Sequence, residues 1–305
     1  MTSAHAPRSA VIGLGSMGLG MALTMARKGL SVTGFDINPD AVAKLTQGGG
    51  TGCNNITEAA TGCDIVVAVV VNAAQTDAVL FGEGGAAMAM ARGGVIISSA
   101  TMAPEDARRF AEKAKGLGLH YLDAPISGGA AKAASGELTI MASGTAEAFA
   151  GARPVLDVIA GTVYELGCAA GIGASFKMVN QLLAGVHIAA ACEAMAFAKR
   201  LGLDLDQVYK VITASAGNSW MFENRVPHIL EGDYSPRSAV NIFTKDLGIV
   251  GDMGRRETFP LPLSAAALQM FMMTAAAGMG RDDDASVARM FAMIAGLDLP
   301  ERRKE

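Results

Sequence analysis

Aromatic side chains make up only 5% of this 305-residue sequence, and it contains no run of lysines or arginines longer than three. A nucleic-acid-binding chain normally shows a basic stripe with aromatics for stacking, so no nucleic-acid partner is expected. The formal net charge of −4 points the same way, although a local basic pocket could still hold a small anion. Cysteine is scarce: Cys53, Cys63, Cys168 and Cys192, with no C-x-x-C pair. In a chain of this length they read as reduced, mostly buried thiols of a cytoplasmic protein. No metal site is expected. The longest membrane-like stretch is Ile65 to Val71. That is far short of the ~20 residues that cross a bilayer, so no membrane association is expected. The segment after Arg8 mimics a signal peptide, but Gly13, Gly15 and Gly18 interrupt it, and Met1 to Pro7 reads as a loose leader.

Hydrophobic residues are plentiful at 51%, enough for a sizeable core, and the length predicts one large or two medium domains. The first half alternates short apolar runs with amphipathic stretches. Predicted strands are Ser9–Ile12, Ser31–Phe35, Asp64–Val71, Gly94–Ser98, Tyr121–Leu122, Leu138–Ala142 and Val163–Leu166. Predicted helices between them include Met17–Lys28, Pro39–Thr46 and Pro104–Lys115, the prolines sitting where a first turn tolerates them. Such alternation predicts an α/β fold with a doubly wound parallel sheet of Rossmann type. After Gly171 the pattern changes. A long helix is predicted from about Ala174 to Arg200, stopped near Gly202, and everything beyond reads as helical. Breaks are expected at Gly217, Pro227, Pro236, Pro260 and Pro262. The expected division is residues 1–171 for the sheet domain and 172–305 for an all-helical one.

Gly13-Leu14-Gly15-Ser16-Met17-Gly18 fits G-x-G-x-x-G between the first strand and the first helix. Glycine there lets the backbone turn sharply and approach a pyrophosphate, while the helix N-terminus offers N–H groups. Asp36 ends the second strand, 18 residues past Gly18. That is close to the usual spacing of ~20 for the acid that binds ribose hydroxyls. A carboxylate there repels a 2′-phosphate, and no Arg or Lys follows before Lys44, so NAD is expected rather than NADP.

Three further clusters stand out. Asp123-Ala124-Pro125-Ile126-Ser127-Gly128-Gly129 follows a strand, and its small residues can present backbone N–H groups to an anion. Gly171-Ile172-Gly173 opens the long helix, which carries Lys177 and Asn180 on one face at i and i+3. A lysine in the first turns of an apolar helix is costly to bury without a purpose; a snorkelling surface lysine is the bland alternative. Lys245-Asp246 reads by default as a surface charge pair.

In order, Gly-Leu-Gly-x-Met-Gly, Asp-Ala-Pro-x-Ser-Gly-Gly, Gly-x-Gly-x-x-x-Lys-x-x-x-Gln and Lys-Asp resemble the β-hydroxyacid dehydrogenase family, from Ser9 to Met293. The resemblance implies a Rossmann domain followed by a helical domain, and Lys177 as catalytic acid/base. It implies that Ser127, Gly128 and Gly129 hold a substrate carboxylate and that Asn180 orients the substrate. Lys245 would sit beside the nicotinamide, and Asn72 and Thr101 would line the cofactor site. Val70-Val71-Asn72-Ala73-Ala74-Gln75 stands where many members carry Leu-Pro. With Ile126–Ala131 and Gly217–Arg225, that variant looks most like the L-threonate dehydrogenase branch. The implied reaction is oxidation of a small hydroxy acid, L-threonate, at C2 to the 2-oxo acid. Asn72, Asn180, Asn218 and Ser219 are the expected partners of its extra hydroxyls. The competing enzymes are a tartronate semialdehyde reductase and a 3-hydroxyisobutyrate dehydrogenase. A non-catalytic NAD-binding module is the alternative from another class, and retention of Lys177 and Asn180 argues against it. Small residues along the long helix, Ala189, Ala190, Ala191, Ala194, Ala196 and Ala198, predict close helix packing and a homo-oligomer, dimer or tetramer.

Overall fold

The computed structural model describes residues 7–301, so the leader expected over Met1–Pro7 lies, apart from Pro7, outside the described residues. The chain forms two compact units that divide between Lys177 and Met178.

The first unit is built on six parallel strands. They are β1 (Arg8–Ile12), β2 (Ser31–Phe35), β3 (Thr51–Gly52), β4 (Ile65–Ala68), β5 (Val95–Ser98) and β6 (His120–Asp123), in the order β3-β2-β1-β4-β5-β6. Helices α1 (Gly18–Arg27), α2 (Pro39–Gln47), α3 (Ile56–Ala60), α4 (Ala73–Phe81) and α5 (Pro104–Gly116) connect them. Strand residues alternate between two apolar layers. Val11, Ile65, Val67, Val95 and Ile97 enter one layer, and Ala10, Ile12, Val66, Ala68 and Ile96 the other. A parallel sheet covered on both faces requires such near-continuous apolar runs. Pro39 and Pro104 occupy first helical turns, and Asn38 and Asn72 cap α2 and α4 with their side chains.

The later strands depart from the sequence reading. β7 (Ile126–Ser127), β8 (Leu138–Ala142) and β9 (Ala160–Glu165) leave the parallel sheet and form a separate three-stranded one. In it β7 runs antiparallel to β8. The helices α6 (Gly129–Ser135) and α7 (Ala146–Ile159) join these strands.

Helix α8 (Ile172–Arg200) begins in the first unit and continues into the second. Gly202, with φ of +73°, follows its end, where Leu203 N–H reaches back to the Ala198 carbonyl. The second unit continues with α9 (Leu205–Thr213), α10 (Trp220–Glu231), α11 (Val240–Arg256), α12 (Pro262–Thr274) and α13 (Val287–Ala295) around one apolar core. Gly185 lets α8 approach α11, since a Cβ there would stand 2.8 Å from the Leu247 side chain. Pro227 does not break the chain as expected; it lies inside α10. A proline leaves the carbonyl four residues earlier without its helical donor. Here that carbonyl, on Glu223, accepts from the Tyr209 hydroxyl at 3.2 Å.

Two helical stretches, Ile172–Arg200 and Pro262–Met279, are long and apolar enough by length and composition to cross a membrane. The sequence reading overlooked them because alanines, rather than branched aliphatics, supply much of their apolar character. A core helix passes the same test, and more than half of the apolar window in α8 is buried within the protein.

Candidate active site

The order of the parallel strands reverses between β1 and β4, and ligands of such sheets bind beyond the carboxyl ends of the strands at this point. Five strand ends in the first unit carry residues singled out by sequence. Gly13–Gly18 follow β1, Asp36 follows β2, Asn72 lies four residues past β4, Thr101 three past β5, and Asp123 ends β6.

The three motif glycines differ in cause. At Gly13, with φ of +94°, a Cβ would be driven into the Val69 carbonyl; at Gly18 it would strike the Gly13 carbonyl. Both are required by the protein's own packing. Gly15 has nothing within 4 Å of where its Cβ would be. Its missing side chain leaves an open cradle over the α1 N-terminus, as a close-lying phosphate needs. Helical hydrogen bonding starts with Leu19 N–H to the Gly15 carbonyl, so the amides of Ser16, Met17 and Gly18 lie ahead of it. The Asp36 carboxylate is already oriented: Oδ2 accepts from Leu14 N–H at 2.6 Å and Oδ1 from Asn38 N–H at 2.8 Å. These features fit a bound dinucleotide. Asn72 Oδ1 accepts from Gln75 N–H at 2.8 Å and so caps α4.

Ser127, Gly128 and Gly129 lie where β7 ends and α6 starts. Gly128 has φ of +131° and Gly129 φ of +74°. Lys177 is only 6% exposed, and its Nζ donates to the carbonyl of Ile126 at 2.8 Å. It does not snorkel; its amine is held one residue from Ser127. Asp123 is buried, and its Oδ2 accepts from Gly171 N–H at 2.8 Å and Ala174 N–H at 2.9 Å, with Ser143 Oγ at 3.3 Å. Burial pushes its carboxyl up to about 6, against the opposing pull of those amides and that hydroxyl.

In the second unit Asn180 and Lys245 belong to one polar chain. Asn180 Nδ2 donates to Gln181 Oε1 at 2.9 Å, and Gln181 Nε2 donates to Asp246 Oδ2 at 2.5 Å. Lys245 Nζ pairs with Asp246 Oδ1 at 2.5 Å. Asp246 is 1% exposed, so Lys245-Asp246 is not the surface charge pair its sequence context suggested. Burying that carboxylate requires its partners, and Lys245 and Gln181 supply them. Asn218 and Ser219 form the α9–α10 connection. Ser219 Oγ caps α10 by accepting from Phe222 N–H at 3.0 Å, and Asn218 Nδ2 donates to the Thr213 carbonyl at 3.2 Å and to Glu223 at 2.5 Å. Among the described residues no group of His, Cys, Asp and Glu is arranged to hold a metal ion.

Sequence reasoning quoted Asp123, Gln181 and Asp246 inside motifs without giving them roles. Helical spacing from Lys177 to Gln181, at i and i+4, was a signal available for Gln181. None existed for the partners of Asp123.

Residues 8–167 match the family described as the NAD binding domain of 6-phosphogluconate dehydrogenase. Residues 171–291 match the NAD-binding family of NADP-dependent 3-hydroxyisobutyrate dehydrogenase. The chain is 56% identical to an L-threonate dehydrogenase of Cupriavidus necator, over 95% of this chain and 97% of that one. It is 50% identical to the Escherichia coli K12 protein of the same name, over 95% of each. A crystal structure described as 3-hydroxyisobutyrate dehydrogenase from Salmonella typhimurium superposes with a TM-score of 0.89 at 49% identity, covering 93% of this chain and 99% of that one. Similarity of this extent, on a fold whose strand ends carry the motif residues in order, identifies the chain as a member of the β-hydroxyacid dehydrogenase family, an NAD-binding hydroxy acid oxidoreductase.

Proposed function

We propose that the protein oxidises L-threonate at its C2 hydroxyl to the 2-oxo acid, with NAD as the acceptor and Lys177 as the acid/base. The observation that carries the reading is the Lys177 amine, buried in an apolar helix and anchored to the Ile126 carbonyl beside Ser127–Gly129. A buried lysine close to a glycine-rich turn suits a substrate that brings both a carboxylate and an ionisable hydroxyl. The choice of L-threonate rests on relatives of that name at 50–56% identity over nearly the whole chain.

In this reading the backbone of Ser127, Gly128 and Gly129 receives the substrate carboxylate. Lys177 Nζ, as the neutral amine, takes the C2 hydroxyl proton; in reduction it gives the proton back. Bound NAD supplies the hydride acceptor. Gly13 to Gly18 hold the pyrophosphate, Asp36 takes the ribose hydroxyls and excludes a 2′-phosphate, and Asn72, Thr101 and Lys245 line the rest of the cofactor site. Asn180 orients the substrate. It is a partner for the further hydroxyls; Ser219 Oγ and Asn218 Nδ2 are engaged in the α9–α10 connection, whereas Asn218 Oδ1 is buried without a hydrogen-bond partner. We place the functional division at residues 1–171 for cofactor binding and 172–305 for the helical half, and the enzyme in the cytoplasm. A second copy of the chain is the expected partner.

The test is a turnover panel with NAD. L-threonate should exceed 3-hydroxyisobutyrate and D-glycerate by at least ~10-fold in kcat/KM, or ~1.4 kcal/mol of transition-state binding. Tartronate semialdehyde with NADH ranking first would instead make the enzyme a reductase. Lys177→Ala should keep NAD binding and lose kcat by ~10²–10⁴-fold, the usual contribution of acid–base catalysis.

A further inference from the structure

Five residues of one segment, Asp123 to Ser127, meet the start of α8 twice. At one end the Asp123 carboxylate takes the N–H groups of Gly171 and Ala174. At the other the Ile126 carbonyl takes the Lys177 ammonium or amine. A third tie runs through Ser143, whose Oγ accepts from Gly173 N–H at 2.9 Å and lies 3.3 Å from Asp123 Oδ2. The fit leaves no slack. A Cβ on Gly173 would collide with the Met141 carbonyl and stand 3.0 Å from the Asp123 carbonyl. One on Gly171 would stand 2.8 Å from the Pro104 carbonyl. The Gly-x-Gly opening of α8 is thus explained by backbone packed against backbone, and no ligand is needed to account for it.

A helix N-terminus needs acceptors for its first amides, and a Ser, Thr or Asn side chain supplies one for α2, α3, α4, α7 and α10. For α8 the acceptor is instead a carboxylate that is 1% exposed. Burying a charge is an expensive way to cap a helix, and hydrogen bonds to a charged acceptor are stronger and more directional than those to a neutral one. What this cap adds is positional: it fixes the two helical turns between Gly171 and Lys177 relative to the strand that leads into Ser127–Gly129.

We infer that Asp123, with Ser143, is a positioning residue that holds Lys177 at the substrate turn without touching substrate or cofactor. The inference rests on the assignment of Lys177 as acid/base. It also accounts for the Asp that opens Asp-Ala-Pro-x-Ser-Gly-Gly, five residues ahead of the glycines proposed to seat the carboxylate.

The experiment is a double-mutant cycle on the full-length enzyme, reading kcat, KM and NAD affinity separately. Asp123→Asn keeps the shape and can keep a neutral oxygen on the two N–H groups, but loses the charge that strengthens both bonds. It should lower kcat at least tenfold, with KM and the NAD dissociation constant within about threefold. In the Lys177→Ala background the same substitution should cost less than about twofold, because the residue it serves is gone. Equal fold-losses in both backgrounds, or a loss confined to NAD affinity, would overturn the inference. So would normal kcat in Asp123→Asn when Lys177→Ala is inactive. Near-normal kcat in Lys177→Ala alone would overturn the acid/base assignment, and is read from a different variant. Should Asp123→Asn fail to fold, Ser143→Ala removes one tie and leaves the carboxylate. It should lower kcat several-fold in the parent and not in the Lys177→Ala background, and multiplicative losses there would overturn the inference equally.

Discussion

Gly15 and Gly18 belong to one motif, yet they answer to different demands. Gly18 is packed against the Gly13 carbonyl, and a backbone oxygen cannot retreat as a flexible side chain does. Gly18→Ala should therefore destabilise the fold by ~3 kcal/mol or more, on the scale of core overpacking. Gly15 does not have a positive φ and faces open space. Gly15→Ala should leave the melting temperature unchanged or slightly raised, as glycine-to-alanine changes at compatible sites do. NAD affinity should nevertheless fall at least ~10-fold, ~1.4 kcal/mol, because the methyl group occupies the phosphate cradle. Thermal denaturation and a nicotinamide-fluorescence titration on the two variants separate these effects. If both variants lose stability alike, the cradle assignment for Gly15 is wrong.

The α8 start shows what an element can demand of a residue. Asp123 has its carboxyl raised by burial to about 6 from an ordinary 3.8. Between those pH values the folded protein retains a proton that the unfolded chain has released. Stability contributed by this group is therefore greatest below pH 4 and falls as pH rises towards 6, by on the order of 3 kcal/mol. Arg108 is the charged group that opposes the shift most directly. Asp123→Asn should accordingly gain stability relative to the parent as pH rises from 4 to 7, measured by denaturant unfolding at each pH. A difference that is flat with pH would show that the buried carboxyl titrates normally. Such a relation was illegible in the sequence, since the partners of Asp123 are backbone amides 48 and 51 residues further on. The strands were legible where Ile65–Ala68 and Val95–Ser98 alternate between two apolar layers. Thr51–Gly52 and Ile126–Ser127 were not, because two residues carry no period. Pro227 misled for a tertiary reason: a hydroxyl on α9 replaces the missing helical donor. The site followed the same rule. Gly13–Gly18 and Asp36 announce themselves by local spacing and Lys177 by the family resemblance, whereas the chain from Asn180 through Gln181 to Asp246 and Lys245 exists only once α8 and α11 have packed.

For the whole molecule, the face of α8 that remains uncovered is informative. Leu183, His187, Ala190, Ala194 and Phe197, with Leu201 just past the helix end, follow one another at alternating steps of four and three. Leu183, Phe197 and Leu201 are all exposed. A packed helix pair has the same repeat, and the proposed second copy is the occupant expected for it. At micromolar concentration the protein should scatter light as a dimer or tetramer, and Phe197→Glu should shift it to a smaller species with its fold intact. A monomeric parent protein would refute this. The position of the α8 start has a consequence for inheritance as well. The connection between β9 and α8, residues 166–171, is where the two family matches meet, but the compact units divide only after Lys177. Recombination at that connection would carry the proposed catalytic lysine away with the helical half and leave behind the strand that holds it. Shuffled genes in this family should then succeed only when the incoming helix start and the resident Asp123 strand still match.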